Sequence, residues 1–140
     1  MIVAAFHARL AASPSVAALI TSPDSTVRAF PVLAPQGAAH PLIVLTAIEV
    51  RRSASLSERR DYCEGTVQVD IYARTYDGAQ ELDAAVREAL HGASFVAGGV
   101  TVQACLHEVT RDMTEGIEPG SATRPLFRLS TDYRVAFEEA

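Results

Sequence analysis

Cys105 and His107, a thiol and an imidazole, lie two residues apart in the sequence. In an alternating strand that spacing puts both side chains on one face, where a thiol and an imidazole can act as nucleophile and general base. No third group orients the histidine, and no glycine-rich turn supplies oxyanion donors. The spacing fits a packed thiol beside a surface histidine better than a catalytic pair.

The remaining histidines, His7, His40 and His91, are scattered, and no HxxxH or HExxH spacing supports zinc. Asp112, Glu115 and Glu118 lie in a polar stretch without the spacing of a calcium loop. Gly98-Gly99 precedes a strand pattern, whereas a phosphate cradle needs amides at a helix start. Catalytic, cofactor and metal roles are therefore assigned to no residue.

Arg51, Arg52, Arg59 and Arg60 form the one basic cluster. Glu49, Glu58, Asp61 and Glu64 dilute its field, so sequence-independent affinity for DNA is expected to be weak. The net charge of -5 agrees, since nucleic-acid binders usually carry a basic surface. All 12 basic residues are arginine. That composition reflects a GC-rich coding genome, and it also supplies the bidentate contacts that suit protein interfaces.

At 140 residues, 49% apolar and 21% charged, the chain is expected to form one domain, 1–140, with one hydrophobic core. The longest apolar run falls far short of the ~20 residues of a spanning helix, so no membrane partner is expected. Met1 to His7 lacks the basic start of a secretory signal, and the protein is expected to stay where it is made. Cys63 and Cys105 belong to no CxxC pair and read as reduced packing thiols.

The elements that must position these residues follow from periodicity. Ile2, Val3, Phe6 and Leu10 share a helical stripe over Ile2 to Ala12. Ser15 is expected to cap a short second helix, Val16 to Ile20. Val27 to Leu33 reads as an extended piece kept from a sheet centre by Pro31. Leu42 to Arg52 reads as a strand, and Val67, Val69, Ile71 and Ala73 mark one face of another, Thr66 to Arg74. The pair Leu42–Arg52 and Cys63–Arg74 is expected to form a long hairpin with a mobile polar tip, Ser53 to Tyr62.

Asp77-Gly78-Ala79-Gln80 reads as a capping box opening an amphipathic helix with Leu82, Val86 and Leu90 on its apolar stripe, stopped by Gly92. In Val100 to Arg111, Val100, Val102, Ala104 and Leu106 are expected on one face and Cys105 and His107 on the other. Met113 to Pro125 reads as a second long loop. In Leu126 to Glu138, Phe127, Leu129, Thr131, Tyr133, Val135 and Phe137 share a face opposite Arg128, Asp132, Arg134 and Glu138. The order predicts an α+β fold, a mostly antiparallel β-sheet with helices packed on one face.

These segments resemble the phage tail-completion (tail-terminator) family of long-tailed phages and gene transfer agents. The likeness lies in Leu10-Ala11-Ala12-Ser13, Val16-Ala17-Ala18-Leu19, the Ala34-Pro35-Gln36-Gly37 turn and Pro41-Leu42-Ile43-Val44. It continues in Val67-Gln68-Val69-Asp70-Ile71-Tyr72-Ala73, Tyr76-Asp77-Gly78-Ala79, Val86-Arg87-Glu88-Ala89-Leu90 and Asp132-Tyr133-Arg134-Val135. One departure is Thr21-Ser22-Pro23, where the family often has a glycine before its next strand.

The resemblance implies a virion structural protein, not an enzyme. It implies a homohexameric ring at the tail–neck junction that caps the finished tail tube and joins it to the head connector. The implied partners are the chain itself, the tail tube protein and the connector or stopper protein. DNA would pass through the ring without sequence-specific binding. Arg51, Arg52, Arg59, Arg60, Arg128 and Arg134 are the candidate partner-contact residues. A head-to-tail connector or stopper is the alternative within assembly, and a small enzyme using Cys105 and His107 the alternative outside it.

Overall fold

The computed structural model describes residues 1–53, 61–114, 116–117 and 125–139. Three helices, α1 (Ile2–Ala12), α2 (Pro14–Ile20) and α3 (Tyr76–Leu90), accompany seven strands. The strands are β1 (Ala29–Pro31), β2 (Leu42–Ser53), β3 (Asp61–Ala73), β4 (Phe95–Ala97), β5 (Val100–Asp112), β6 (Gly116–Ile117) and β7 (Pro125–Glu139).

The sheet runs β1-β2-β3-β7-β5-β4, with β6 appended to β7. All pairs are antiparallel except β1 with β2. The last long strand therefore lies in the middle of the sheet, paired along its length with β3 on one side and β5 on the other. Pro31 ends the edge strand β1, where a missing amide costs no ladder bond.

Side-chain alternation sorts the sheet into two faces. Val67, Val69, Ile71 and Ala73 of β3 join Leu129, Tyr133, Val135 and Phe137 of β7 in one core cluster. Leu82, Val86 and Leu90 of α3 belong to the same cluster, as do Phe6 and Leu10 of α1 and Val16 and Ile20 of α2. Each helix contributes residues spaced three or four apart, the period of one helical face. The first four residues of β2, Leu42–Leu45, are buried on both faces, and from Ala47 onward the strand is exposed.

Local chemistry differs from the sequence expectation at three places. The second helix begins at Pro14, so Ser15 lies inside it; Ser13 occupies the cap position without a side-chain bond. In α3 the cap is Thr75, whose Oγ1 accepts the Gly78 N–H at 3.0 Å, and Asp77 lies in the first turn. A single threonine cap thus replaces the predicted capping box, since Gly78 at the third helical position has no side chain to reach back. Gly92 follows the helix with φ +75°, a conformation that favours glycine, as its role as a stop requires.

The third difference is the phase of β5. Register shifts between Val102 and Ala104, and between His107 and Val109, interrupt its alternation. The first shift carries Cys105 into the core and turns Ala104 and Leu106 out. A strictly alternating reading cannot see such a bulge. Short strands β4 and β6 were also invisible to periodicity, being three and two residues long.

Candidate interaction surface

Core residues of the helices share one cluster with the inward-facing residues of the strands, and polar residues gather on the opposite face of the sheet. Its central strand β7 presents Arg128, Ser130, Asp132, Arg134, Ala136 and Glu138, the set opposite the core-facing residues. A trough of about 560 Å³ crosses this face, with Ile48 of β2 at one wall and Leu106 of β5 at the other. Glu64, Asp132 and Arg134 lie between them. A second trough of about 590 Å³ lies under residues 32–40 and is lined by Val44, Asp70, Tyr72 and Arg128.

Ion pairs decide which arginines of this face are available. Arg128 Nη2 lies 3.3 Å from Asp70 Oδ1, and its guanidinium stacks 5.5 Å from the Tyr72 ring centre. Arg128 is half-buried and Asp70 buried, so this pair ties β7 to β3 within the fold. Arg111 Nη1 reaches buried Asp132 Oδ2 at 3.1 Å and ties β5 to β7.

The predicted basic cluster divides. Arg51 Nε lies 2.8 Å from Glu49 Oε1 with its side chain 75% exposed, a surface pair of small energetic weight. Arg52 Nη1 reaches Glu139 Oε2 at 2.7 Å across the sheet. Arg59 and Arg60 lie outside the described residues, as does most of the predicted hairpin tip. Arg134 is exposed between Thr66 and Leu106 and has no ion-pair partner among the described residues.

Arg28, which the sequence did not single out, makes three hydrogen bonds. Its Nε donates to the Pro41 carbonyl at 2.9 Å, Nη1 to Ser22 Oγ at 2.6 Å and Nη2 to the Leu19 carbonyl at 3.0 Å. It joins the end of α2 to the start of β2. Its three partners lie six to thirteen residues away, and no local pattern signals the role.

Cys105 and His107 share the core face of β5, but they do not make a catalytic pair. Burial pushes the Cys105 thiol up to about 12, so the thiolate needed for attack is scarce at neutral pH. His107 Nε2 lies 2.7 Å from Thr110 Oγ1, which continues to Thr131 Oγ1 at 2.9 Å and on to buried Asp83 at 3.0 Å. That chain satisfies buried polar atoms. Among the described residues, no group of three or more acidic, histidine or cysteine side chains could hold a metal ion. No single described helix is long and apolar enough to cross a membrane.

The pattern of the tail completion protein gp17 family matches residues 4–138. The chain belongs to this family. Membership makes it a structural component of a virion tail. The fold is similar to that of a chain in the virion of a native gene transfer agent particle, with a TM-score of 0.69 and 17% identity. That likeness covers 95% of this chain and 91% of the other. No curated protein sequence matches the chain.

Proposed function

We propose that this tail completion protein is a tail terminator: copies form a homohexameric ring that caps the finished tail tube and joins the tail to the head connector. The observation that carries this reading is the family match over nearly the whole chain. The sheet face adds physical support. It mixes Glu64 and Asp132 with Arg134 and Arg51, and surfaces carrying both signs suit packing between identical copies around a rotation axis.

In this reading the tail tube protein and the connector or stopper protein dock on the ring, and DNA passes through without base contacts. A net charge of -5 fits passage without tight binding. The protein would assemble in the bacterial host cytoplasm and reside at the tail–neck junction. Arg51 and Arg134 would contact partners directly, together with Arg59 and Arg60 of the connector between β2 and β3. Arg52 and Arg128 would act chiefly by holding the surface in shape through Glu139 and Asp70.

Imaging of particles assembled with and without the chain tests the proposal. A ring at the tail–neck junction is expected with it, and unjoined heads and tails or overlong tubes without it. One copy per junction would sink the ring, and normal joined particles without the chain would sink the role.

A further inference from the structure

The sheet has two open edges, and they lie diagonally opposite each other. On one side β1 covers β2 only at Ile43–Leu45. From Thr46 to Ser53 no strand pairs with the outer side of β2 among the described residues. On the other side β4 covers β5 only at Val100–Val102. The end of α3 covers the next stretch, where Gly92 N–H donates to the Cys105 carbonyl at 2.7 Å and His107 N–H to His91 Nδ1 at 3.0 Å. From Glu108 to Asp112 no strand pairs with the outer side of β5 among the described residues.

Register identifies the backbone groups left over. Ile43 donates outward to Arg28 and Leu45 accepts outward from Val32, so alternate residues of β2 face the edge there. The shift between Ala47 and Glu49 passes that outward role to Val50. On β5 the backbone groups of Cys105 and His107 point to the sheet edge, and the shift after His107 passes that role to Thr110 and Asp112. Unpaired amides and carbonyls of this kind template the addition of another strand.

The side chains along these edges are those of a contact. Ile48 (51% exposed) and Val50 (37%) lie on β2, and Leu106 (48%) lies on β5 with Met113 (43%) just beyond it. No lysine or proline blunts either edge; register shifts and charged side chains such as Glu49 and Glu108 are what they carry instead. Through β3 and β7, β2 runs antiparallel to β5. A second copy set beside the first therefore offers its β5 antiparallel to β2.

We propose that these two edges pair with each other between copies, β2 of one copy adding to β5 of the next, so that the sheet runs on from subunit to subunit. The proposal rests on the ring reading above and specifies how that ring is held. Setting Val50 opposite the next copy's Thr110 brings Glu49 opposite Arg111, which adds an opposite charge beside the Glu49–Arg51 and Arg111–Asp132 pairs within each copy. A two-fold pairing of β2 with β2 would leave the β5 edge uncovered, whereas head-to-tail pairing uses both edges, the kind of contact from which a ring is built when its rotation closes.

The test is a disulfide across the predicted pair. In this register residues 49 and 111 form a non-hydrogen-bonded pair, with Cα atoms ~4.5 Å apart and within disulfide reach. Particles carrying Glu49→Cys with Arg111→Cys in one chain are oxidised and run without reductant. A ladder of linked copies is expected from the double variant and from neither single variant. Rings that give no ladder would overturn the edge pairing and leave the ring reading intact. Self-linked dimers of a Val50→Cys variant would show two-fold pairing and overturn it as well. A single copy per particle would overturn both readings.

Hydrogen exchange on the unaltered chain guards against a variant that misfolds. The Val50, Thr110 and Asp112 amides should exchange at least about tenfold more slowly in the assembly than in the free subunit. Equal rates would overturn the pairing.

Discussion

Gly65 of β3 passes so close to Glu49 of β2 that a Cβ on it would overlap the Glu49 carbonyl oxygen. The approach falls where the β2–β3 register shifts between Ala47 and Glu49. A bulge bends its strand and brings backbone against backbone, and glycine is the residue that admits it. Gly65→Ala should therefore destabilise the fold by about 2 kcal/mol or more, because carbonyl and strand must both move. Chemical denaturation measures this, and an unchanged midpoint would show that the bulge relaxes freely.

The core beneath α3 makes a second expectation. Leu82 and Val86 are fully buried, in one cluster with Val69 and Ile71. Leu82→Ala or Val86→Ala should cost roughly 1–4 kcal/mol, the usual range for deleting buried methyl groups. An unaltered unfolding midpoint for Leu82→Ala would mean that this side chain does not face the sheet.

Much of this core was legible because β3, β7 and α3 keep their periods without interruption. Val67 to Ala73 and Phe127 to Phe137 alternate cleanly, so their inward faces could be read residue by residue. Strand β5 could not be read in the same way. Two bulges shift its phase, and a bulge leaves no mark in a binary pattern beyond the alternation it breaks. The order of strands was equally hidden, since pairing of β7 between β3 and β5 is a long-range choice.

The candidate surface was legible only in part for a related reason. Sequence places Arg128 and Arg134 on one face of one strand, and the fold keeps them there. It does not show that Asp70 lies across from Arg128, which turns one of the two into a strand-to-strand tie. Arg28 carries no local signal at all, yet it holds two backbone carbonyls and a hydroxyl.

Arg28→Met tests that hub. It keeps the aliphatic stem and removes three hydrogen bonds, leaving the Leu19 and Pro41 carbonyls without that donor. A loss of about 1–3 kcal/mol is expected, the cost of leaving partly buried acceptors unsatisfied. Faster exchange at the Ile43 amide, which donates to the Arg28 carbonyl, should accompany it. Unchanged stability and exchange would show that water replaces the guanidinium at no cost.

The cysteines give a pH-dependent prediction. The Cys105 thiol is raised by burial from 9.0 to about 12. A thiol held neutral in the fold but ionising near 9 when unfolded favours the folded state fully below that point. As pH rises from 9 toward 12 the unfolded chain loses its proton first, so this contribution falls away. Native protein at pH 8 should therefore resist iodoacetamide at Cys105 and react on addition of denaturant. Rapid labelling of the native protein would show that β5 opens locally.

The last expectation concerns the connector between β2 and β3. Arg59 and Arg60 fall within 54–60, outside the described residues, between two strands that pair as far as Ser53 and Tyr62. A polar connection of this length usually has a contact to make, and the two arginines offer charge-assisted bonds to acidic groups on a neighbour. Reversing both to Glu should leave folding intact, with a shift of no more than about 0.5 kcal/mol, because the core cluster is built from other segments. The double variant should instead yield unjoined heads and tails, or overlong tubes if the cap fails. Its thermal midpoint must match the parent for the result to count as an assembly defect. Normal yields of joined particles would show that the connector is only solvated and that the contact falls to Arg51 and Arg134.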